Sequence, residues 1–423
     1  MDENDRARAL PRVHRLRADV FYGWFVVAGA FFVSLVSVGV GFYGQTVFLD
    51  GLIHEKGWTR ESVSAASTLY FLTAGVAGMA VGRMIDRVGT RIPLATGALT
   101  MAAGLLWLGR IESPAELYAV YALLATAFSM SAAIPLSTLV SRWFHAQRSK
   151  AMSLSQTGVS VGGLILVPLA TGLIASQGLR SATVQLAFFV VLLTLPIILF
   201  VLRETPGEFG LWPDGRTEPS PAGPPPPPPI GTREVILSRS FVLLASAFAG
   251  ILVCQTGTAV HHLHLLREHL DTSVAALGAT TLPIGSIIGR LATGRFADRF
   301  DKRSVAAVLF LLQGAALAAL SATDDVIGLL SFSLVFGLTV GSVFMMQSLL
   351  VAELWGLASF ATILGVLSFV ASLGGGLGPL LVGVLADRFG GYPAAFRTLA
   401  LLASLAALVV AFVPRPQLHR DAA

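Results

Sequence analysis

The residue with the clearest capacity for chemistry is Arg290, which lies inside the apolar segment 273–295. A helical spacing would place Ser286, Arg290 and Thr293 on one face of that segment. A charge within a segment that can cross a membrane is costly, and it usually marks a binding site or a pathway. A guanidinium can bind a carboxylate through two parallel hydrogen bonds. We therefore predict that Arg290 and Ser286 bind an anionic substrate.

An alternative role for Arg290 follows from its position near the end of its segment. Long basic side chains can bury their apolar stems and keep the charge at the membrane interface. The interiors of the apolar segments contain no carboxylate that would attract a cation. Because buried acids are the usual partners of cations within a membrane, this composition favours an anion as the substrate.

Three histidines, His261, His262 and His264, lie near the end of the apolar segment 240–265. His262 shares a helical face with Gln255, and both are candidate substrate contacts. An imidazole titrates near neutral pH, so His261 or His262 could carry a coupled proton. Capping of the segment at the membrane interface is the alternative. A zinc site on two histidines alone is a weaker hypothesis, and we expect no metal.

Other polar side chains in apolar segments are candidates to line a substrate cavity. They are Tyr43, Gln45, Gln156, Ser160, Gln347, Ser368 and Ser372. Most residues of this kind bond to the backbone or to a neighbouring helix, so each is a weaker candidate than Arg290. A cluster of glycines at residues 374–378, before Pro379, predicts either a hinge or close helix packing.

The elements that position these residues are predicted to be membrane-spanning helices. The 423 residues are 54% hydrophobic and 13% charged, and the mean hydropathy is +0.75. Soluble domains carry about 25% charged residues. The apolar residues form blocks of about 20, which is enough for a helix to cross a hydrocarbon core of roughly 30 Å. A membrane β-barrel would instead show alternating polarity, which is absent from this sequence.

Twelve such blocks predict an all-α polytopic membrane protein with two six-helix halves. The predicted spans are residues 22–49, 63–82, 92–110, 115–140, 151–176, 183–202, 240–265, 273–295, 304–322, 326–350, 360–386 and 393–413. The remaining segments are a basic N-terminus (1–21), a central linker (203–239) and a tail (414–423), so the two bundles are 22–202 and 240–413. We expect no cleaved leader, because the first apolar run is too long for a signal peptide.

The central linker contains six consecutive prolines, Pro224 to Pro229. Such a run favours an extended polyproline helix that does not join a bundle, which is typical of a spacer. A docking site for a proline-binding partner is the alternative.

The distribution of basic residues predicts the orientation of the chain. With the N-terminus in the cytoplasm, the cytoplasmic segments hold twenty-one of the 29 Lys and Arg residues and the outside segments hold seven. This bias follows the positive-inside rule, and it places both termini in the cytoplasm. The net charge of +5 is therefore explained by topology, and we expect no nucleic-acid partner.

A ten-residue pattern follows the second predicted span and recurs after the eighth. Residues 82–91 read GRMIDRVGTR, and residues 294–303 read GRFADRFDKR. Repetition at matched positions of two halves indicates an internal structural repeat. The pattern resembles the signature loop of the major facilitator superfamily, a family of transporters. The second copy differs in having Asp301 where the first has Gly89.

The resemblance implies that the two loops form a gate on the cytoplasmic side. Glycines allow helices to approach closely, and an aspartate can accept from a helix N-terminus or pair with an arginine. The predicted gate residues are Gly82, Asp86, Arg87, Arg142, Gly294, Asp298 and Arg299. The alternative is that these charges only mark a cytoplasmic turn.

A second resemblance is to the monocarboxylate transporter and oxalate/formate antiporter branch of that superfamily. It is carried by Tyr22-Gly23-Trp24 at the first span, Gly57-Trp58-Thr59-Arg60 before the second, Arg142-Trp143-Phe144 after the fourth, Arg148-Ser149-Lys150-Ala151 at the start of the fifth, and Gly158, Gly162 and Gly163 within it. Members hold the substrate carboxylate with an arginine of the eighth span, and Arg290 stands at the matching position. The lysines that members carry in the first or eleventh span are absent here, which favours a single carboxylate over oxalate.

The sequence therefore predicts a secondary transporter that moves a small organic anion, a monocarboxylate by preference, through alternating access. Coupling is by proton symport or by anion exchange. The alternatives are a drug or cation efflux transporter of the same fold and a non-transporting membrane sensor. No hydrolase or phosphate-binding motif lies near a span, so we expect neither an enzyme nor a cofactor. The expected partners are the substrate, membrane lipid and protons, for a monomer in the plasma (bacterial inner) membrane.

Overall fold

The computed structural model describes residues 20–58, 60–218 and 231–414 of the chain. Within those residues the regular structure is helical, without a strand. The chain divides into two compact units, Met1–Pro226 and Pro227–Ala423. The polyproline run, the N-terminal basic segment up to residue 19 and the tail from residue 415 lie outside the described residues.

The helices of the N-terminal unit follow the predicted spans closely. They are α1 (Gly23–Val38), a π-helical turn (Gly39–Tyr43), α2 (Gly44–Lys56), α3 (Arg60–Val88), α4 (Arg91–Leu108), α5 (Pro114–Ser131), α6 (Ala133–Trp143) and α7 (Arg148–Pro196), which continues into a π-helical turn (Ile197–Val201). Two short 3₁₀ turns follow, Pro206–Phe209 and Pro213–Gly215.

The C-terminal unit repeats this organisation. Its helices are α8 (Thr232–Leu237), α9 (Arg239–His269), α10 (Thr272–Gly278), α11 (Thr281–Phe296), α12 (Lys302–Leu320), α13 (Val326–Trp355), α14 (Phe360–Phe389) and α15 (Tyr392–Ala411). A 3₁₀ turn, Ala297–Arg299, links α11 to the segment before α12.

Ten helices among the described residues are long and apolar enough to cross a membrane, and they contain eleven of the predicted spans. The region Arg148–Val201 holds two spans, because its backbone breaks at Gly178, where φ is +79° and ψ is 163°. The eighth predicted span is divided into α10 and α11. Pro283 lies in the first turn of α11, where a residue without a backbone N–H breaks no intrahelical hydrogen bond, although α14 continues through Pro379.

Glycines bring helix backbones into contact in both units. A Cβ at Gly158 or Gly162 of α7 would clash with the backbone of α1 at Phe31 or Leu35. Gly374 of α14 lies in the same way against Ala249 of α9. The absent side chains therefore allow these helices to pack at short range.

The glycine cluster of α14 serves mainly for close packing. A Cβ at Gly378 would come within 2.7 Å of the Gly257 nitrogen. The Thr256 hydroxyl donates a hydrogen bond of 2.5 Å to the Gly375 carbonyl. Gly376 faces open space, with nothing within 4 Å of a Cβ there. Of the two interpretations of this cluster, the contacts favour packing over a hinge.

The first part of the predicted central linker folds onto the N-terminal unit. The Trp143 indole donates to the Arg203 carbonyl (2.8 Å), and the Tyr22 hydroxyl donates to the Val201 carbonyl (2.9 Å). The ring of Phe209 lies 4.8 Å from that of Tyr22 between centroids. The Asp214 carboxylate accepts from three backbone N–H groups that precede α7. Residues up to about Gly215 are thus part of this unit rather than a free spacer.

Candidate functional site

Arg290 is held between two tightly packed helices of the C-terminal unit. Its side chain is 3% exposed, and its Nε–H donates to the Gly341 carbonyl of α13 at 3.1 Å. A Cβ at Gly341 would lie 2.9 Å from Arg290 Nη2 and would also clash with Ser286. A Cβ at Gly289 would in turn clash with the Leu338 backbone. The glycines on both helices therefore create the space that the guanidinium and Ser286 occupy.

Close to Arg290, a threonine hydroxyl of α11 and a serine hydroxyl of α13 form a hydrogen bond with each other. Thr293 Oγ1 of α11 lies 2.9 Å from Ser342 Oγ of α13. Ser286 is 6% exposed and lies one turn before Arg290. The structure thus brings Ser286, Arg290 and Thr293 to the α13 side of α11, as the helical spacing predicts.

The histidines of α9 contact different neighbours. His262 is 2% exposed, and its Nε2 lies 2.7 Å from Ser333 Oγ of α13. His261 Nε2 lies 3.1 Å from the Pro379 carbonyl, and its Nδ1 lies 3.3 Å from the Tyr392 hydroxyl. His262 is therefore a buried polar residue inside the unit, whereas His261 links α9 to the interior of α14 and the start of α15.

Gln255 belongs to a buried network that sequence reasoning did not identify. Its Nε2 donates to Gln313 Oε1 of α12 (3.1 Å), and the Thr339 hydroxyl of α13 donates to the same oxygen (3.0 Å). Gln313 is fully buried. Gln255 Oε1 and Thr258 Oγ1 are buried without a hydrogen-bond partner among the described residues. The signal for Gln313 is the one that selects Gln45, Gln156 and Gln347, an amide inside an apolar span.

These three groups occupy separate parts of the C-terminal unit. Thr339 and Gly341 are two residues apart on α13, so the glutamine network and Arg290 contact faces about 200° apart around that helix. Ser333 precedes Gly341 by eight residues, so His262 lies about 12 Å along α13 from Arg290. Arg290 and Ser286 therefore form a group separate from His262 and from the glutamine network.

In the N-terminal unit, the π-helical turn Gly39–Tyr43 is the centre of a polar cluster. Tyr70 of α3 donates from its hydroxyl to the Gly41 carbonyl at 2.7 Å, and Gln45 Nε2 donates to the same carbonyl at 3.3 Å. A π-helical turn interrupts the regular backbone ladder and is frequent at functional sites. Gln45 Oε1 and the hydroxyl of Tyr121 are buried without a hydrogen-bond partner among the described residues. Tyr70 and Tyr121 were missed from sequence because tyrosines in apolar helices are common.

The other predicted contacts of this unit lie at different depths. Tyr43 packs its ring against Gly163 of α7. Gln156 lies seven residues before Gly163, about 10 Å along the helix, where its Nε2 donates to Ser137 Oγ of α6 at 3.2 Å. Tyr43 ends the π-helical turn and Gln45 follows it two residues later, whereas Gln156 contacts α6 about two turns of α7 away from Gly163. In the C-terminal unit, Ser368 of α14 donates to Gln347 Oε1 of α13 at 3.4 Å.

Glu204 accepts the hydrogen bonds that hold the end of the first signature loop, and it was not among the residues predicted from the sequence. Its carboxylate accepts from the Thr90 backbone (2.7 Å), the Thr90 hydroxyl (3.0 Å), the Arg91 backbone (2.8 Å) and Arg142 Nη1 (2.8 Å). Gly89 has a φ of +86°, and a Cβ there would lie 2.7 Å from Glu204 Oε1. Arg142, one of the predicted gate residues, thus forms an ion pair with an acid that follows the sixth span.

The second signature loop uses a local acid instead. The Asp301 side chain accepts from the backbone of Arg303 and Ser304 at the start of α12, and it pairs with the Arg303 guanidinium at 3.0 Å. Lys302 lies 3.9 Å from Asp298 and 4.0 Å from Glu353. The departure from the repeated pattern at Asp301 is therefore a helix cap.

The remaining predicted gate residues lie close to these contacts. Gly82, Asp86 and Arg87 are in the last two turns of α3, Gly294 is buried near the end of α11, and Arg299 is exposed in the turn that follows.

No group of three or more His, Cys, Asp or Glu side chains that could hold a metal ion occurs within residues 20–58, 60–218 and 231–414.

Comparisons with known proteins agree with this architecture. The sequence profile of the Major Facilitator Superfamily matches residues 30–276 and 257–423. Monocarboxylate transporter 13 of Bos taurus is 28% identical over 388 residues, which cover 89% of this chain and 85% of that protein. The oxalate:formate antiporter of Oxalobacter formigenes is 27% identical over 187 residues, 44% of each protein. The crystal structure of the E. coli fucose:proton symporter FucP has a TM-score of 0.71 at 16% identity and covers 93% of this chain and 100% of that one.

The two resemblances predicted from sequence are confirmed by these matches, and so is the all-α, twelve-span fold class. The similarity to FucP shows the fold alone, because the identity is low. Members of the superfamily are transporters rather than enzymes. The chain therefore belongs to the Major Facilitator Superfamily, as a multi-pass membrane transporter with monocarboxylate transporters among its relatives.

Proposed function

We propose that this protein moves a small monocarboxylate across a membrane by alternating access, coupled to a proton or to a second anion. The observation that carries the proposal is the burial of Arg290, at 3% exposure, within a spanning helix. A guanidinium keeps its charge at any physiological pH and presents a planar set of N–H donors that matches a carboxylate. Its burial favours a binding role over extension of the side chain to the interface.

The local environment supports an anion of modest size. Among the described residues, Arg290 is the one Lys or Arg side chain that is buried. Ser286, one turn away, offers a hydroxyl that could bind a second oxygen of the substrate. A single buried cation favours one carboxylate over two, since a second uncompensated charge would be costly in a low dielectric.

Two named relatives support the same substrate class. One is a monocarboxylate transporter and the other exchanges oxalate for formate. We extend carboxylate transport to this chain, with Arg290 and Ser286 as the proposed contacts. Tyr43, Gln45, Gln156, Gln255 and His262 stay predictions from the sequence, because the structure places Gln255 and His262 apart from Arg290. His262 and His261 are the candidates for proton transfer, because imidazole can change its protonation state near neutral pH.

The charged loops support a conformational cycle. Glu204, Arg142 and the start of α4 form one cluster, and Asp298, Lys302 and Glu353 form another. Ion pairs at partly exposed positions can break and re-form at modest cost. We propose that both clusters act as gates on the cytoplasmic side of a plasma membrane, with both termini in the cytoplasm and the protein working as a monomer.

A ligand-dependent stability measurement tests the binding step. Thermal unfolding of the purified full chain would be followed with lactate, pyruvate, benzoate, oxalate and organic cations, for wild type, Arg290→Gln and Arg267→Gln. A ligand at 100 times its Kd stabilises the folded state by about 2.7 kcal/mol. We expect a monocarboxylate to stabilise wild type and Arg267→Gln, which removes an exposed charge at the end of α9, but not Arg290→Gln.

The outcomes separate the competing functions. An unchanged carboxylate response in Arg290→Gln would remove Arg290 from the binding site. Stabilisation by cations but by no carboxylate would favour efflux of a cationic compound. For the coupling mode, uptake into proteoliposomes driven by a pH gradient would indicate symport, whereas uptake that requires internal anion would indicate exchange.

A further inference from the structure

A groove on the surface of the C-terminal unit runs between α12 and α15. It has a volume of about 590 Å³. Its lining includes Leu311, Gly314 and Ala315 of α12 and Arg397, Leu401 and Ser404 of α15. Both helices are long and apolar enough to cross a membrane. The groove is therefore formed by two spanning helices and is separate from the polar groups around Arg290.

The groove is shaped by small residues and flanked by exposed leucines. A Cβ at Gly314 would lie 3.0 Å from the Ala400 carbonyl, so the two helices approach closely along the floor. Leu311 is 49% exposed and Leu401 is 73% exposed. Apolar side chains with this exposure on a spanning helix need a hydrocarbon environment. The groove and its rims thus suit an acyl chain.

Arg397 adds a charge at one end of this apolar groove. It lies five residues after Tyr392, so it is about 8 Å from the start of α15 and near the membrane surface. Its side chain is exposed and has no hydrogen bond or ion pair with the part of the chain that the structure describes. The other polar group of the lining, Ser404 Oγ, donates to the Ala400 carbonyl at 2.8 Å. Arg397 is therefore the group that remains for a charged ligand.

We propose that the groove binds one anionic phospholipid, with its phosphate on Arg397 and an acyl chain along the small residues of α12 and α15. A guanidinium matches the geometry of a phosphate through parallel hydrogen bonds. Ser404 lies seven residues after Arg397, so the groove extends about 10 Å from the charge toward the membrane interior. A phospholipid combines the anionic head and the hydrocarbon tail that these two features require.

The effect of a single basic residue on lipid affinity sets the size of the expected signal. A Lys or Arg near a membrane surface contributes about 1 kcal/mol toward an anionic lipid, which corresponds to about fivefold in affinity. The preference for phosphatidylglycerol over phosphatidylcholine should therefore fall about fivefold when Arg397 is replaced by glutamine.

Native mass spectrometry of the purified full chain, titrated with phosphatidylglycerol or phosphatidylcholine in detergent micelles, measures this preference. Arg388→Gln is the matched control, because Arg388 is exposed at the end of α14 and is not part of the groove. Ala315→Leu fills the groove from an exposed position and leaves Arg397 in place. We expect Arg397→Gln to lower the preference for phosphatidylglycerol about fivefold, Ala315→Leu to weaken the binding of both lipids, and Arg388→Gln to match wild type.

Three results would overturn the proposal. One is equal retention of phosphatidylglycerol by wild type and Arg397→Gln, and another is an equal loss in Arg388→Gln, which would indicate general surface charge. The third is equal retention of the two lipids by wild type with loss only in Ala315→Leu, since the groove would then hold hydrocarbon without a specific headgroup. None of the three variants alters Arg290, so the test of carboxylate binding can succeed or fail whatever the result for lipid binding.

Discussion

Replacement of Glu204 by glutamine should destabilise the N-terminal unit without changing the size of the side chain. In wild type the carboxylate accepts four hydrogen bonds, from the Thr90 backbone and hydroxyl, the Arg91 backbone and Arg142. Glutamine keeps one acceptor oxygen but presents an amide N–H group where the second oxygen was. At least one of the four donors, for example Arg142, would then face the amide N–H group instead of an acceptor oxygen.

The magnitude follows from the types of bond that are lost. Hydrogen bonds to charged groups contribute about 1.5–3 kcal/mol each, but partial exposure reduces the contribution of an ion pair. The side chains of Arg142 and Glu204 are 21% and 26% exposed. The carboxylate also lies at the N-terminus of α4, where a negative charge contributes about 0.3–1 kcal/mol. We expect a total loss of about 2–3 kcal/mol.

Thermal unfolding in detergent at one fixed scan rate is the assay. A loss of 1 kcal/mol lowers the Tm of a domain of this size by about 2–4 °C, so Glu204→Gln should unfold about 5 °C or more below wild type. Glu218→Gln is the control, because it makes the same chemical change at an exposed residue of the same segment, where the structure describes no partner. Its Tm should be within about 1 °C of wild type.

A double-mutant cycle identifies the source of the loss. Because Glu204 and Arg142 pair directly, the effects of Glu204→Gln and Arg142→Gln should be non-additive, with a coupling of about 1 kcal/mol. Additive effects would show that the ion pair contributes nothing to stability. A Tm for Glu204→Gln equal to that of Glu218→Gln would refute the view that this carboxylate fastens the loop.

Two further predictions concern the C-terminal unit. Gly341→Ala places a Cβ 2.9 Å from Arg290 Nη2, whereas at Gly376 a Cβ has open space. The Kd for the carboxylate, measured from thermal stabilisation, should therefore be about tenfold or more higher in Gly341→Ala than in Gly376→Ala. Equal ligand responses in the two alanine variants would contradict this. Gln313→Leu leaves Gln255 and Thr339 without their shared acceptor and should cost about 1–3 kcal/mol in thermal unfolding. The paired change Gln255→Leu with Gln313→Leu should recover part of this loss, and a further decrease instead would show that the network does not act as one unit.

The helical architecture could be predicted from sequence because lipid acts on each segment separately. An apolar block of sufficient length is a spanning helix wherever it occurs, so the spans and their order follow from local composition. The breaks within spans were harder to predict. Pro283 lies in the first turn of α11, but a proline by itself does not mark a break, because α14 continues through Pro379. The reversal at Gly178 needs a positive φ, yet other glycines lie inside continuous helices.

The site was predictable to the extent that its residues differ from their surroundings. Arg290 and Ser286 stand out as polar groups in an apolar helix, and the structure brings both against α13. Their neighbour Gly341 does not stand out, because a glycine that makes room for a guanidinium resembles any packing glycine. Tyr70 and the π-helical turn were also hidden, since the turn is a backbone irregularity and Tyr70 reaches it from another helix.

The two signature loops show why a repeat in sequence need not be a repeat in mechanism. Each loop ends at the N-terminus of a helix, where backbone N–H groups need an acceptor. In the C-terminal unit Asp301 supplies it locally, three residues from Ser304. In the N-terminal unit the same position is Gly89, whose φ of +86° and missing side chain leave room for Glu204. The acceptor there comes from the end of the sixth span, so a displacement of that end would release the first loop and leave the second one capped.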